Sequence, residues 1–91
     1  MSDFEPAGRL FDRQVEDVNG KLVGRVEDLL VDIRSGQIEY VLIALPQGGS
    51  RMETITIPWS LVTADTRRRT RWRVGVNKTV LERLVVSDYR R

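Results

Sequence analysis

The chain has 91 residues, of which 41% are hydrophobic and 31% are charged, a composition that suits one globular domain and excludes a disordered chain. It contains no cysteine and no histidine, which excludes disulfides, thiolate metal ligands and the usual general base near neutral pH. The net charge of +2 is unevenly spread. Residues 1–65 carry 11 acidic and six basic side chains, whereas residues 66–91 carry nine basic and two acidic ones. The basic part could face a partner, or the two parts could pair within one fold or a dimer.

The first third of the chain predicts a tail followed by two strands. Residues 1–8 are expected to form a loose tail, and residues 10–15 could form a first strand, although their alternation is poor. Val18-Asn19-Gly20 indicates a turn, because Asn and Gly tolerate positive φ. Residues 22–31 predict the second strand, in which Gly24 indicates a bulge or a sharp bend.

The middle of the chain predicts two more strands. After a turn at Arg34-Ser35-Gly36, residues 37–45 are rich in β-forming side chains. Residues 40–44 are apolar at odd and even positions alike, so the strand has apolar side chains on both faces. This predicts burial on both faces of the strand or at a subunit contact. Residues 54–57 alternate cleanly and predict a half-buried strand, after which residues 59–62 turn a corner.

The last part predicts a strand and a short helix. Residues 70–76 form the strand, with Trp72 on the same face as Val74 and Val76. Asn77 is a suitable N-cap for a helix. The apolar stripe of that helix, expected to plug a barrel end or to pack on a second subunit, comprises Val80, Leu81, Leu84 and Val85.

These elements together predict an all-β protein, a small barrel with a short C-terminal helix. The chain reads as a single domain over residues 1–91, with the barrel over residues 9–76 and the helix and a basic tail over residues 77–91. Side chains at the apolar parity of each strand are the predicted core. They are Val26, Leu42, Ile55, Ile57 and Val74.

An ordered series of motifs carries a family likeness. The motifs are Val18-Asn19-Gly20, Val23-Gly24-Arg25-Val26, Asp28-Leu29-Leu30-Val31-Asp32, Gly36 with the apolar strand after it, and Ile57-Pro58-Trp59-Ser60. Over residues 9–76 the chain resembles the PRC-barrel family, whose barrels occur in the photosynthetic reaction-centre H subunit and in the ribosome maturation factor RimM. The resemblance implies a small β-barrel of about six strands that works as an interaction module. It implies no catalytic residues, because the motif positions are turn glycines, core aliphatics and a proline. We expect no counterpart here of the transmembrane helix of the H subunit or the N-terminal domain of RimM, so neither function is expected to transfer directly.

Catalytic and metal sites have little support in the sequence. Ser60 has no histidine to activate it, and Lys21 lies in a predicted turn, so we expect no catalytic residue and no enzyme activity. Glu27, Asp28 and Asp32 could offer oxygen ligands to a hard cation, but their spacing matches no calcium loop. Aspartates at strand ends more often bond nearby backbone N–H groups, so neither a metal nor a cofactor is expected.

A run of arginines is the one candidate for partner binding. If the segment is extended, Arg67, Arg69, Arg71 and Arg73 project to one side as a stripe that could bind phosphates, and Trp72 could stack on a base. Alternatively, the stripe is a solvated face that pairs with acidic side chains of residues 12–39, and Trp72 lies in the core. The shared parity of Trp72 with the neighbouring valines favours the second interpretation.

The sequence therefore predicts a non-catalytic, stand-alone adaptor that forms a homodimer and docks on another protein. An RNA-binding or ribosome-assembly accessory that uses residues 67–73 is an alternative, as is a peripheral assembly factor of a photosynthetic or membrane complex. The acidic N-terminus lacks the apolar core of a signal peptide, and the longest apolar run, residues 40–45, is far shorter than a bilayer requires. We therefore expect no transmembrane segment and a cytoplasmic location.

Overall fold

A computed structural model describes residues 4–46, 52–64 and 71–82, and these residues form one six-stranded sheet with a short helix. The strands are β1 (Gln14–Glu16), β2 (Leu22–Asp32), β3 (Gln37–Pro46), β4 (Met52–Pro58), β5 (Val62–Ala64) and β6 (Arg71–Val74), and the helix is α1 (Lys78–Glu82). Short 3₁₀ turns cover Ala7–Arg9 and Trp59–Leu61. The predicted all-β class with a small C-terminal helix is confirmed.

The sheet has the strand order β4-β3-β2-β1-β6-β5 and curls into a half-barrel. Strands β1 and β6 run parallel, and every other neighbouring pair of described strands is antiparallel. The first and last strands in the sequence, β1 and β6, are therefore neighbours in the sheet. This pairing positions most of the polar side chains discussed below.

At Gly24 the backbone of β2 lies close to that of β3. A Cβ atom on Gly24 would lie 2.1 Å from the carbonyl oxygen of Ala44, so only glycine fits this position. The strand pairing is irregular on both sides of Gly24. In the β1–β2 pair the register shifts between Val15 and Glu16 of β1, and in the β2–β3 pair it shifts between Val26 and Asp28 of β2. Bulges of this kind bend a strand and increase its twist. The sequence predicted a bulge or a sharp bend at Gly24, and strand irregularities flank this residue.

The core is built from side chains of β1, β2, β3, β4 and β6. Its buried members are Val15, Val23, Val26, Val41, Ile43, Leu45, Ile55, Ile57, Trp72 and Val74. All five predicted core residues are buried, Leu42 among them. Leu42 is fully buried although alternation places it on the opposite side of β3 from Val41 and Ile43. Two-faced burial is therefore confirmed within the single chain for these three residues, whereas Tyr40 is 43% exposed.

The predicted first strand over residues 10–15 is only partly correct. Strand β1 begins at Gln14, because Asp12 adopts a left-handed conformation with φ of 66° that interrupts an extended chain. The segment before it forms the 3₁₀ turn, and Leu10 packs against the core from there. The poor alternation of this stretch reflects a bend rather than an imperfect strand.

The predicted corner at residues 59–62 and the last strand also need revision. The corner is the 3₁₀ turn, and Val62 already begins β5, a short strand that the sequence pattern did not predict. Strand β5 pairs antiparallel with β6, which ends at Val74 rather than at residue 76. The predicted N-cap is confirmed, because Asn77 Oδ1 accepts the N–H of Val80 at 2.9 Å. The stripe side chains beyond Val80 lie outside the described part of the chain.

Candidate interaction surfaces

The outer half of the β2–β3 hairpin forms a two-stranded arm, defined here as residues 28–40. On one side, β1 pairs with β2 only as far as Arg25, and backbone bonds to Val26 complete that contact. On the other side, β4 pairs with β3 from Tyr40 onward. Among the described strands, residues 30–39 of the arm therefore pair only within the β2–β3 hairpin, and Tyr40 is the one arm residue that also pairs with β4. A two-stranded ribbon has two solvent-facing surfaces, which is an unusual place for apolar side chains.

The arm nevertheless carries four exposed apolar side chains, and Ile38 beside them is partly exposed. Leu30 pairs with Tyr40 across the two strands, and Val31 pairs with Ile38. Ile33 sits in the connecting turn and is 92% exposed. We call these five residues the arm apolar surface. Contiguous apolar patches on a small protein mark sites of interaction more often than scattered apolar residues do.

The charges of the arm are mostly negative. Asp28, Asp32 and Glu39 oppose the single basic residue Arg34, which leaves a net charge of −2 over residues 28–40. Asp28 Oδ1 accepts the adjacent N–H of Leu29 at 2.8 Å, and Asp32 Oδ1 accepts the N–H of Arg34 at 2.9 Å. The two aspartates thus support local backbone, as expected of strand ends and turns.

The third acidic residue considered as a cation ligand, Glu27, has a different partner. Its Oε1 accepts the hydroxyl of Thr54 at 2.7 Å, which ties β2 to β4 across β3. Within the described residues, no group of three acidic side chains converges to hold a metal ion. Ser60 and Lys21 are both exposed and belong to separate turns.

Two residues of the predicted arginine stripe meet at a buried glutamate. Parallel pairing of β1 with β6 places Glu16 opposite Arg73, two residues along from Arg71. Glu16 Oε1 accepts Nη2 and Nε of Arg73 at 2.6 and 3.1 Å, and Oε2 accepts Nη1 of Arg71 at 3.2 Å. The Arg73 guanidinium lowers the pKa of Glu16, with help from Arg71, and together they outweigh the burial that raises it. The other two stripe residues, Arg67 and Arg69, lie outside the described residues.

Trp72 is confirmed as a core residue. Its side chain is almost fully buried, and its ring meets Trp59 edge-on at a centroid distance of 5.3 Å. The guanidinium of Arg13 lies 5.9 Å from the centre of the Trp72 ring. Arg13 is held there by a forked contact to both carboxylate oxygens of Glu5, at 2.6 and 3.1 Å. The ring is therefore engaged inside the fold, and Glu5 ties part of the predicted tail to it.

Asp17 is a buried carboxylate that sequence reasoning missed. Its Oδ1 accepts the N–H groups of Asn19 and Lys21 at 2.8 and 2.9 Å, and its Oδ2 accepts that of Lys78 at 2.8 Å. Burial raises the pKa of Asp17, but the donors at Lys21, Lys78 and Asn19 together bring it below its ordinary value. An aspartate just before an Asn-Gly turn was the available signal, because such side chains often bond backbone two residues onward. An open depression of about 460 Å³ borders Asp17. Both oxygens of this carboxylate already accept backbone N–H groups of the fold.

Comparison with known families agrees with this architecture. A family model described as the PRC-barrel domain matches residues 2–81, most of the chain. No curated protein matches the sequence. In the described ranges, no helix has both the length and the apolar character needed to span a bilayer.

Proposed function

Because the chain belongs to the PRC-barrel family, we propose that it is a non-catalytic interaction module that docks onto another protein through the arm apolar surface. The observation that carries the proposal is the exposure of paired apolar side chains on the arm, where Leu30 is 37% and Tyr40 is 43% exposed. Elsewhere in the described chain, every buried side-chain polar atom has a hydrogen-bond partner. A scaffold whose buried polar side chains are hydrogen-bonded, and whose arm exposes apolar side chains, suits a docking role.

Site-specific cross-linking tests this proposal. A photoreactive residue is placed at Leu30, and the matched control carries it at Leu22, a leucine on the same strand that is 50% exposed outside the arm. In cells that express the protein, we expect a discrete cross-linked species from position 30 that position 22 does not give. No cross-link from either position, or the same products from both, would contradict docking through the arm.

We also propose that the chain self-associates as a homodimer. A domain of this size buries only about 60–65% of its unfolded surface, so burial against a second copy stabilises it. Exposed apolar side chains outside the arm that could contribute are Phe11, Val18 and Val80. Sedimentation equilibrium at micromolar concentration should give twice the chain mass, and a monomer mass would reject the dimer.

An RNA-binding role has weaker support. Arg71 and Arg73 both donate to Glu16, so their charge is partly compensated inside the fold. With Trp72 engaged in the core, the stripe lacks the stacking ring that single-stranded RNA binding favours. The described residues add nothing in favour of the photosynthetic or membrane-complex alternative.

A further inference from the structure

We propose that the arm apolar surface receives a cationic amphipathic segment of a partner protein, in which Lys or Arg side chains lie beside apolar ones. The inference rests on the proposed docking function and specifies the chemistry of the docked segment. The arm offers both halves of the required complementarity, an apolar surface and a set of carboxylates interleaved with it.

The apolar half consists of two adjacent cross-strand pairs. Leu30 with Tyr40 forms one pair, and Val31 with Ile38 forms the next, with a register irregularity between them. Because successive side chains of a strand point to opposite faces, the two pairs lie on the two faces of the ribbon. Directly opposed side chains lie about 4.5–5.5 Å apart at Cβ, which makes each pair one continuous apolar contact area. The turn residue Ile33 extends this area to the end of the arm.

The charged half is interleaved with the apolar half. Asp32 lies between Val31 and Ile33, and Glu39 lies between Ile38 and Tyr40. The arm's net charge of −2 opposes the whole-chain charge of +2, so the attraction for a cation is local to the arm.

These charges decide between the possible occupants. Nucleic acid and anionic lipid are repelled by the arm carboxylates. A second copy that met the arm symmetrically would oppose two surfaces of the same negative sign, which is unfavourable. A segment with apolar side chains beside cations satisfies both features of the surface.

Fluorescence anisotropy with a labelled synthetic peptide of Leu and Lys at helical amphipathic spacing tests the inference. A matched peptide has Glu in place of every Lys, and another has Ser in place of every Leu. We expect the intact protein to bind the Leu/Lys peptide and neither of the others. The L30S/Y40S variant should bind it at least about tenfold more weakly, which corresponds to about 1.4 kcal/mol.

Two further variants separate charge from fold. Glu39→Lys should weaken binding several-fold and reduce its salt dependence, because an attractive charge becomes repulsive. Leu22→Ser, on the same strand outside the arm, should bind as the intact protein does. Circular dichroism and the urea midpoint establish that each variant is folded.

Several results would overturn the inference. They are no binding of the Leu/Lys peptide, equal binding of the Leu/Glu peptide, or equal losses in the Leu30 and Leu22 variants. Loss of a dimer in L30S/Y40S by sedimentation would also overturn it, because the arm would then hold a second copy. If peptide binding fails while the cross-link from position 30 persists, the docking role stands and only the cationic chemistry is wrong. If both fail, the docking role fails too.

Discussion

The carboxylate of Asp17 accepts the backbone N–H of Lys78 at 2.8 Å, which joins the turn after β1 to the start of α1. The other carboxylate oxygen closes the turn itself through the N–H groups of Asn19 and Lys21. One buried side chain thus organises a local turn and a contact between segments 61 residues apart. Asn77 caps the same helix through the N–H of Val80, so the start of α1 has two side-chain acceptors.

We expect Asp17→Ala to be strongly destabilising. It leaves three backbone donors without their acceptor, and each unsatisfied buried donor costs about 1–3 kcal/mol. The free energy of unfolding in urea should fall by at least about 2 kcal/mol. Asp28→Ala is the matched control, because Asp28 is exposed and accepts only one N–H, and its loss should stay within about 0.5 kcal/mol. Similar losses in the two variants would contradict the organising role of Asp17.

Stability should decline in acid. The pKa values of Asp17 and Glu16 are lower in the folded chain than their ordinary values, so the unfolded chain binds more protons as the pH falls. Their contribution is fully present above the unfolded pKa values, about 3.9 for Asp and 4.3 for Glu, and is lost as the pH falls through the folded values. Urea midpoints measured from about pH 6 to about pH 2 should therefore drop below about pH 4.

Glu16→Gln identifies the share of Glu16 in this acid response. At neutral pH the variant should have a lower urea midpoint than the intact chain, because Arg71 and Arg73 lose their carboxylate. The difference should shrink as acid protonates Glu16 in the intact protein. A difference that is constant with pH would show that the ion pairs make no contribution.

Gly24→Ala should disrupt the curl of the sheet. The added Cβ would lie 2.1 Å from the Ala44 carbonyl oxygen and 3.3 Å from Cγ2 of Ile43. The closer atom is backbone, so β2 and β3 must move apart, and we expect a loss of at least about 2 kcal/mol in urea unfolding. Gly8→Ala is the control, since no atom lies within 4 Å of its added Cβ, and it should be nearly neutral. A neutral result at Gly24 would exclude the close approach.

Leu42→Ala should cost about 2–5 kcal/mol, because the side chain is fully buried and its removal leaves a cavity. Leu22→Ala is the comparison, and it should cost less than about 1 kcal/mol because Leu22 is half exposed. Chemical denaturation of both variants measures the two values. A loss below about 1 kcal/mol at Leu42 would place that side chain on the surface.

The arginine stripe should not bind RNA. Neutralising about four phosphates of a single strand would give a log–log salt slope near −3, and we expect no measurable binding of a labelled single-stranded RNA even at low salt. The Arg71→Ala/Arg73→Ala variant should lower stability modestly and leave RNA binding absent. Micromolar, salt-sensitive binding that this double substitution abolishes would make RNA the ligand of the stripe.

The sequence alone was enough for features that short-range patterns encode. Runs of β-forming side chains between turn residues predicted β2 and β3, and period-two alternation predicted β4, each to within one or two residues at its ends. Asn77 predicted the cap of α1. The same motifs identified the family over most of the chain. The two-sided apolar character of residues 41–43 also indicated burial on both faces, because each parity of a strand faces one side of the sheet.

Tertiary structure decided which distant residues meet. The parallel pairing of β1 with β6 brings Glu16 to Arg73, which lies 57 residues later, and it sets Asp17 beside Lys78. Pairing also ends early on both sides of the β2–β3 hairpin, which leaves Leu30 and Tyr40 exposed although their sequence context predicts ordinary strands. Strand order and register depend on which surfaces the whole chain can bury together, and that balance of long-range contacts is not encoded in any single segment.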